Sequence, residues 1–501
     1  MKRGEVAAGS VNRLNAADRG NRSTSGLVRR RVFQPRAPSP GLGTAEEDRR
    51  SPEQAAGRAH EVSPDTGLGQ GQKLLIVLFV VALLLPFSVS VGTVRMTPNL
   101  LYLALTFFPL IAAWLFRRNA QPGLVDYIVL AFWAWAAVAV GINHGFLSSV
   151  EPIGMHLLQT VGAFAAGRIL VRNAASMAFM AKVVVIAACV CAALAVVESV
   201  TGQKVALRLA GMIGPSWPGV EMSPRMGLAR AQTVFEHPIL FGIFSASIFS
   251  IAYYCLPRSR IMSKGGALAA AIGAFTSLST GALLSLNVQF GLMAWNFVFK
   301  GWRNRWKLLL AAIAVAYVLV DLASTRSPFH VFVNYGTFSS SSSYNRILIW
   351  QFGSAEALRN PFFGIGFGEW ERPSYMSNSM DNFWLVQAVR YGMPACFMLM
   401  GLMILIVARA LRAEGPDASG NRMRRGAAFA LIATCVSIGS VHLWNATYVW
   451  LMFLAGSSVW LGSKGEAGKQ QLADSDPAEE DTSPAGVEPV KRGRPNRPRW
   501  A

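Results

Sequence analysis

The sequence predicts an all-α polytopic membrane protein with about twelve transmembrane helices. Of its 501 residues, 52% are hydrophobic and only 15% are charged, and the mean hydropathy is +0.35. A soluble domain carries about 25% charged residues. Apolar runs of about 17 to 25 residues, the length that crosses a hydrocarbon core, recur along the chain. Composition and run length together exclude an ordinary soluble protein.

The two ends of the chain are predicted to be disordered cytoplasmic tails. Residues 1–70 are rich in Arg, Gly, Ser, Pro and Ala, and residues 463–501 are first acidic and then basic. Neither tail has enough apolar surface to fold alone. A cleaved signal peptide is not expected, because the first apolar run begins only near Leu74 and is long enough to span. The net charge of +20 is attributed to the tails and basic loops, and the final basic stretch to anionic lipid rather than nucleic acid.

Residues 71–462, between the tails, are predicted to form one polytopic transmembrane domain. Each predicted span is an apolar run bounded by polar or charged residues. The spans are centred near Val80, Thr106, Trp133, Val161, Ala188, Ile248, Ala271, Gly291, Ala314, Met398, Ala430 and Leu454.

Lys and Arg fall on every second loop between these spans, which gives the orientation because short cytoplasmic loops hold the positive charge. Both termini are then cytoplasmic. The opposite side carries two large loops, residues 201–237 and 324–380, where we expect the functional residues. The basic positions that define the cytoplasmic side are Arg117, Arg118, Arg168, Arg172, Arg258, Arg260, Lys264, Lys300 to Lys307 and Arg409 through Arg425.

The cysteines and histidines do not predict a metal site. None of the five cysteines lies in the two large external loops, and the six histidines are scattered along the chain. Neither a disulfide, nor a thiolate metal site, nor a zinc cluster is therefore expected. The cysteines, all within or at the edge of apolar spans, are Cys189, Cys191, Cys255, Cys396 and Cys435.

The first large external loop carries Arg225 and Arg230 and ends in Glu236-His237-Pro238. Pro238 suits the first turn of a helix, and the two residues before it would lie at the helix N-terminus. One interpretation is a capped helix with basic residues at the membrane interface. The other is a cationic site at a helix end for an anionic group such as a diphosphate.

The second large loop contains a predicted amphipathic helix over residues 344–360, lying on the outer membrane face with Arg346 on its polar side. The run from Pro361 to Gly368 then bends the chain back. Its glycines are not a dinucleotide-binding fingerprint, because no strand precedes them. The residues whose helical spacing predicts this helix are Ile347, Trp350, Ser354 and Leu358.

Asp381 and Asn382 open the predicted tenth span. Either residue could simply be the helix N-cap, a common position for both types. A carboxylate at the mouth of a membrane cavity could instead take a proton from an attacking sugar hydroxyl. The sequence leaves both interpretations open.

Several motifs follow one another in an order that resembles the O-antigen ligase and polymerase superfamily, over about residues 73 to 462. The resemblance implies a periplasm-facing, GT-C-like glycosyltransferase of the bacterial inner membrane, which uses undecaprenyl-diphosphate glycans, no nucleotide sugar and no cofactor. The motifs are Glu198 to Gly202, Arg230 with Phe235 and His237-Pro238, Leu278-Ser279-Thr280-Gly281, Arg346 with Trp350, and Pro361 with Gly364, Gly366 and Gly368.

The resemblance also assigns roles. Arg230 and Arg346 match arginines that hold the donor diphosphate and stabilise it as leaving group, a task suited to guanidinium. His237 and Pro238 match the helix start after the first arginine. Ligases of the family usually have a histidine where this chain has Asp381, and many relatives have an arginine in place of Thr280. Both departures are closer to the ExoQ-type exopolysaccharide polymerase branch.

The predicted function is therefore polymerisation of lipid-linked oligosaccharide repeat units into exopolysaccharide or O-antigen. Arg230 and Arg346, with Arg225, would bind diphosphate. Asp381, with Glu236 as second choice, would be the general base, and Asn382 and His237 would orient donor or acceptor. The predicted partners are the lipid-linked donor and acceptor and membrane lipids, with chain-length regulator and export proteins as further candidates. The alternatives are ligation of the glycan to another acceptor and, in another class, a polysaccharide transporter or flippase.

Overall fold

A computed structural model describes residues 68–92, 94–116, 123–256, 259–324, 340–413 and 418–462. Almost all of the tail 1–70, all of the tail 463–501 and the first part of the second external loop lie outside these ranges. The basic residues Arg117, Arg118 and Arg258 also lie outside them. The predictions for these segments therefore stay predictions.

Most of the described residues are helical, with one two-stranded sheet. Within the first half of the chain, the elements are α1 (Gln70–Leu84), β1 (Val89–Val91), β2 (Val94–Met96), α2 (Pro98–Leu115), α3 (Leu124–His144), α4 (Val150–Leu170, with a π-helical turn at Leu158–Gly162), α5 (Ala174–Thr201) and α6 (Val205–Ile213). The second half contains α7 (Pro238–Cys255), α8 (Arg260–Thr276), α9 (Thr280–Val298), α10 (Arg305–Ala323), α11 (Ser340–Arg359), α12 (Phe383–Tyr391), α13 (Met393–Arg412), α14 (Ala418–Ser437), α15 (Asn445–Ser458) and a final 3₁₀ turn, Val459–Gly462.

Eight of these helices are long and apolar enough to cross a membrane, namely α2, α3, α4, α5, α7, α9, α10 and α13. They confirm the polytopic class. All twelve predicted centres fall within helices; the remaining four are α1, α8, α14 and α15, which are shorter or carry more polar residues. The total of twelve spans and the GT-C-like fold stay predictions.

The region predicted to begin the tenth span is divided in two. Asn382 does start a helix, but that helix, α12, ends after nine residues. The chain then turns at Gly392, whose φ is +87°, and the apolar span α13 follows with Pro394 in its first turn. Proline has no N–H to continue a preceding helix, and glycine tolerates a positive φ. Gly392 and Pro394 therefore account for the break between α12 and α13.

The core of the helical assembly is formed around α7, which packs against α8, α14 and α9 and is the most deeply buried of the eight spans. The helices α4 and α15 cross closely. A Cβ at Gly167 would lie 2.0 Å from the carbonyl oxygen of Phe453, and one at Gly456 would lie 2.1 Å from that of Phe164. Small residues at such crossings let the backbones approach within van der Waals contact.

Connections on the predicted external side pack on one another. Phe87, just before β1, pairs with Ser216 of the first large loop, and the guanidinium of Arg95 lies 4.5 Å from the Trp217 ring centroid. On α11, Trp350 and Leu358, two of the residues at helical spacing, are exposed. Ile349 is buried and packs against α12. The placement of this helix on the outer membrane face stays a prediction.

Candidate active site

Arg230 is held in the first external loop by backbone groups on both sides. Its side chain is 4% exposed, and its Nε donates a hydrogen bond to the carbonyl oxygen of Ser277 at 3.2 Å. A terminal guanidinium nitrogen contacts Met222 Sδ at 3.1 Å. The carbonyl of Arg230 itself accepts a hydrogen bond from Lys204 Nζ at 2.8 Å. Backbone and side chain are therefore both fixed.

Arg225 is held by Leu278, the residue that follows Ser277 in the turn between α8 and α9. Its guanidinium donates to the carbonyl oxygen of Leu278 at 2.7 Å. Leu278 has a φ of +46°, in the region disfavoured for residues other than glycine. This turn joins α8 to α9 just before Ser279. The start of the motif thus has a structural role, because Leu278 and the residue before it, Ser277, present carbonyl oxygens to Arg225 and Arg230.

Arg346 brings the second external loop to the same place. It lies on α11, and its Nε donates to the carbonyl oxygen of Ser440 at 3.2 Å, in the connection between α14 and α15. One terminal nitrogen of its guanidinium is buried and has no hydrogen-bond partner among the described residues. A buried N–H without a partner costs about 1–3 kcal/mol, more when charged, so a bound anion would relieve this cost.

The three arginines and Asp381 form one electrostatic group. Burial, followed by the charges of Arg225 and Arg346, lowers the pKa of Arg230 to about 10, and the charge of Asp381 partly opposes these effects. Burial likewise lowers the pKa of Arg346, and Asp381 again opposes the effect. At neutral pH a pKa near 10 still leaves the guanidinium protonated. The site therefore holds three cations and one carboxylate, an excess of positive charge suited to a diphosphate.

Asn382 and Asp381 have different roles in the structure. Asn382 is the N-cap of α12, since its Oδ1 accepts a hydrogen bond from the backbone N–H of Leu385 at 3.1 Å. Asp381 is partly exposed and accepts a hydrogen bond from the Ser379 hydroxyl at 3.1 Å. The capping interpretation therefore fits Asn382, while Asp381 has a carboxylate that interacts with Arg230 and Arg346.

Glu236 is engaged by two side chains from the far end of the chain. Trp444 Nε1 donates to its carboxylate at 2.6 Å, and Asn445 Nδ2 donates to both of its oxygens at 2.8 Å. The carboxylate thus connects the start of α7 to the start of α15. Its accepting positions are largely used, which favours a positioning role over that of a base.

His237 is the N-cap of α7, with its Nδ1 accepting from the backbone N–H of Ile239 at 3.1 Å. Burial, together with the positive charges of Arg230 and Lys204, lowers the pKa of His237 to about 4. The ring is therefore neutral at pH 7, and because Nδ1 accepts, the proton lies on Nε2. His237 can cap the helix and still offer one N–H to a substrate.

Sequence reasoning named Glu198 within a family motif but missed its ion pair with Lys204, which holds the first loop. Lys204 Nζ lies 2.6 Å from the carboxylate of Glu198, which is 1% exposed at the end of α5. The same carboxylate accepts hydrogen bonds at 2.9 Å from the backbone N–H groups of Gln232 and Thr233. A lone carboxylate at the end of an apolar span was the available signal, because buried carboxylates require partners.

Sequence reasoning also missed His442, in the connection between α14 and α15. Its ring lies 6.0 Å from that of Phe383 and 5.9 Å from that of Trp444, between the Asp381 end of α12 and the tryptophan bound to Glu236. Burial and the charge of Arg390 lower the pKa of His442 to about 3, so the ring is neutral. No sequence spacing links residue 442 to residue 383, and only the fold brings them together.

The described parts of the chain contain no group of three or more His, Cys, Asp or Glu placed to hold a metal ion. Positive charge for an anionic ligand is supplied here by guanidinium groups.

Residues 265–400 match a family model described as O-antigen ligase. The matched segment runs from α8 into α13, so it includes the turn at Ser277, Arg346 and Asp381 and ends before the connection that contains His442. Arg225, Arg230 and Glu236 precede it. No curated protein matches the chain.

Proposed function

This chain belongs, through residues 265–400, to the O-antigen ligase and polymerase superfamily, and we propose that it polymerises lipid-linked oligosaccharide repeat units. Membership supports a multi-pass membrane enzyme that acts on lipid-linked glycan. The proposed site of action is the periplasmic face of the inner membrane. The proposed donor is an undecaprenyl-diphosphate-linked glycan, and the acceptor is a second lipid-linked repeat unit.

The observation that carries the proposal is the convergence of Arg225, Arg230 and Arg346 with Asp381. The three arginines come from the two predicted external loops, Asp381 directly follows the second loop, and the four residues lie up to 156 positions apart in the sequence. A guanidinium can donate two parallel hydrogen bonds to phosphate oxygens, and several guanidiniums in a partly buried site neutralise a diphosphate. The nearby carboxylate adds a proton acceptor to a cationic binding site.

In the proposed reaction, a hydroxyl oxygen of the acceptor sugar attacks the anomeric carbon of the donor sugar. The bond from that carbon to the diphosphate oxygen breaks, and its electron pair leaves with the lipid diphosphate. Arg230 and Arg346 stabilise the charge that develops on the leaving group. Asp381 takes the proton of the attacking hydroxyl.

The contacts of the two candidate bases support this assignment. Glu236 accepts hydrogen bonds on both oxygens from Trp444 and Asn445. Asp381 accepts one from Ser379 and shares its electrostatic environment with two of the arginines. We assign Asp381 as the base, Glu236 as a positioning residue, and His237 as a group that orients donor or acceptor.

Ligation of the glycan to a different acceptor is the second candidate, and the description of the matching family favours it. The two reactions share the donor, the leaving group and the arginines. The presence of Asp381 where ligases usually carry histidine favours polymerisation. Transport is not supported, because the charged groups lie in the external loops rather than at matched broken helices near the midplane.

The test is the surface glycan of a strain that lacks the protein, complemented with wild type, Arg346→Ala or Arg208→Ala. Arg208 is an exposed arginine of the same external side and serves as the matched control. Loss of Arg346 should cost about 3 kcal/mol, roughly a hundredfold in rate, as for one donor of an oxyanion-type site. Single lipid-linked repeat units should then accumulate while Arg208→Ala behaves as wild type. Persistence of long lipid-linked polymer that fails to reach its final acceptor would establish ligation instead, and an unchanged glycan in the deletion strain would refute both reactions.

A further inference from the structure

A second polar site lies on the external side, at the opposite end of α11 from Arg346. It is a cleft of about 520 Å³ between the C-terminal half of α11 and the segment that follows the glycine-rich turn. Small-molecule sites in proteins are typically clefts of about 300–1,000 Å³. The lining residues on which the inference rests are Phe352, Arg359, Glu369, Trp370, Glu371 and Arg372.

The charges in this cleft are paired with one another. Arg359 forms ion pairs with Glu371 and Glu356, and Arg372 lies 3.6 Å from Glu369. The cleft therefore lacks the uncompensated positive charge of the arginine site. A diphosphate or another strongly anionic group is not what it selects. Paired Arg and Glu side chains instead offer planar donors and acceptors to a neutral ligand rich in hydroxyl groups.

Aromatic rings supply the apolar part of the lining. The Arg372 guanidinium lies 5.7 Å from the Trp370 ring centroid, and Phe352 lines the cleft from α11. A sugar ring has one face of C–H groups and a rim of hydroxyl groups. It is recognised by an aromatic surface together with planar polar side chains, which is the combination found here.

The cleft is built on a fixed frame. Glu356 is 5% exposed and accepts hydrogen bonds from Asn360 Nδ2 at 2.9 Å and from the backbone N–H of Glu371 at 3.2 Å. Trp370 is 7% exposed, and its indole N–H donates to the carbonyl of Asn378 at 3.2 Å. The first set of contacts holds Glu371 against α11 and the second holds Trp370 against Asn378 before any ligand arrives, which lowers the entropy cost of binding.

The position of the cleft relates it to the arginine site. Arg346 and Arg359 lie on the same helix, thirteen residues or about 20 Å apart at 1.5 Å per residue. A glycan whose diphosphate is bound near Arg346 can extend along α11 to the cleft. We propose that the cleft binds saccharide units of the lipid-linked glycan that are remote from the diphosphate. This inference rests on the proposed function.

The test uses purified full-length protein in detergent and the oligosaccharide repeat unit released from the cell's own lipid-linked glycan by mild acid. This probe has neither lipid nor diphosphate, so binding reports the sugar alone. Calorimetry should give saturable binding to wild type. Two cleft variants, the double variant Glu369→Ala with Glu371→Ala and the aromatic variant Phe352→Leu, should each bind at least tenfold more weakly. Glu369 and Glu371 are 84% and 76% exposed, so their removal should leave the fold intact.

Two further variants serve as controls. Glu221→Ala removes an exposed carboxylate of the first external loop. Arg346→Ala removes a side chain that is proposed to bind the donor diphosphate. Both should bind the oligosaccharide as wild type does. Absence of saturable binding to wild type, or equal affinity in the cleft variants, overturns the inference, as does loss of binding in Arg346→Ala. Failure of the polymerase proposal would appear separately, as normal glycan in cells that carry Arg346→Ala.

Discussion

At the scale of single residues, the arginines of the site are oriented by main-chain oxygens. The carbonyls of Ser277, Leu278 and Ser440 each accept a hydrogen bond from one arginine. A guanidinium has five N–H donors, so one such bond sets its plane without exhausting its capacity. For Arg346 a buried terminal nitrogen remains without a partner among the described residues. The backbone therefore fixes the direction of the guanidinium, and the proposed diphosphate would complete its hydrogen bonds.

The carboxylates provide the residue-scale prediction. Asp381→Asn should lower the rate of glycan transfer by about 10²–10⁴, the usual contribution of a positioned proton acceptor. Glu236→Gln should have the smaller effect, because its amide oxygen can still accept from Trp444 Nε1 and so keep much of the connection. Transfer should be measured with purified protein and lipid-linked repeat units, with folding checked by thermal denaturation. If Glu236→Gln is the more damaging of two folded variants, the assignment of the base is reversed.

At the scale of elements, the glycine-rich turn at residues 361–368 is hydrogen-bonded to the end of α12 and the start of α13. The N–H groups of Ile365 and Gly366 donate to the carbonyls of Val389 and Arg390 at 2.8 and 3.0 Å, at the end of α12. Met393, at the start of α13, donates to Pro361 at 2.7 Å. Gly364 and Gly366 have φ of +59° and +63°. Tight turning explains these glycines, as the sequence suggested, and close approach to the α12–α13 break is the further reason.

The prediction at this scale concerns Gly392. A Cβ there would lie 1.9 Å from the Phe362 carbonyl oxygen and would also meet a φ of +87°. Gly392→Ala should therefore cost about 1–3 kcal/mol of stability and lower the apparent Tm of the purified protein by several degrees. Gly401→Ala is the matched control, since Gly401 is helical within α13 and a Cβ there meets nothing within 4 Å. Equal melting of the two variants would mean that the turn is not fastened as described.

At the scale of the whole molecule, the buried spans and the external loops have separate tasks. The spans supply an apolar scaffold, and the loops carry the charged groups of the site. Contacts of Glu236 with Trp444 and of Arg346 with Ser440 connect segments more than 90 residues apart. A site assembled in this way depends on the correct packing of most spans.

The orientation gives the prediction at this scale. A cysteine at position 203, in the first external loop, should react with a membrane-impermeant maleimide in cells whose outer membrane alone has been opened. Lys300→Cys should react only after the inner membrane is permeabilised, because the distribution of charge predicts that Lys300 lies in a cytoplasmic loop. Gln203 and Lys300 are both exposed, and the five native cysteines would be replaced by alanine. Labelling in the opposite order would place the arginine site in the cytoplasm and refute the proposed function.

Much of the fold could be predicted because its signals are local. Apolar run length predicted helices at all twelve centres, and Pro238 and Asn382 marked the starts of α7 and α12 correctly. The division of the tenth span was missed, although Gly392 and Pro394 carry it, because a glycine within an apolar run is also common in unbroken transmembrane helices. Local patterns do not distinguish these two uses.

The sequence by itself determined the membrane class, and it predicted two large external loops and the residue types proposed to bind an anion, because hydrophobic length and charge distribution act within single segments. Only the tertiary structure decided which of those residues meet. It joined Arg230 to the turn at Ser277, gave Glu236 and Asp381 different hydrogen-bond partners, brought His442 beside Phe383 and formed the cleft around Trp370. Such contacts depend on how helices pack across long sequence separations, and no local pattern encodes that packing.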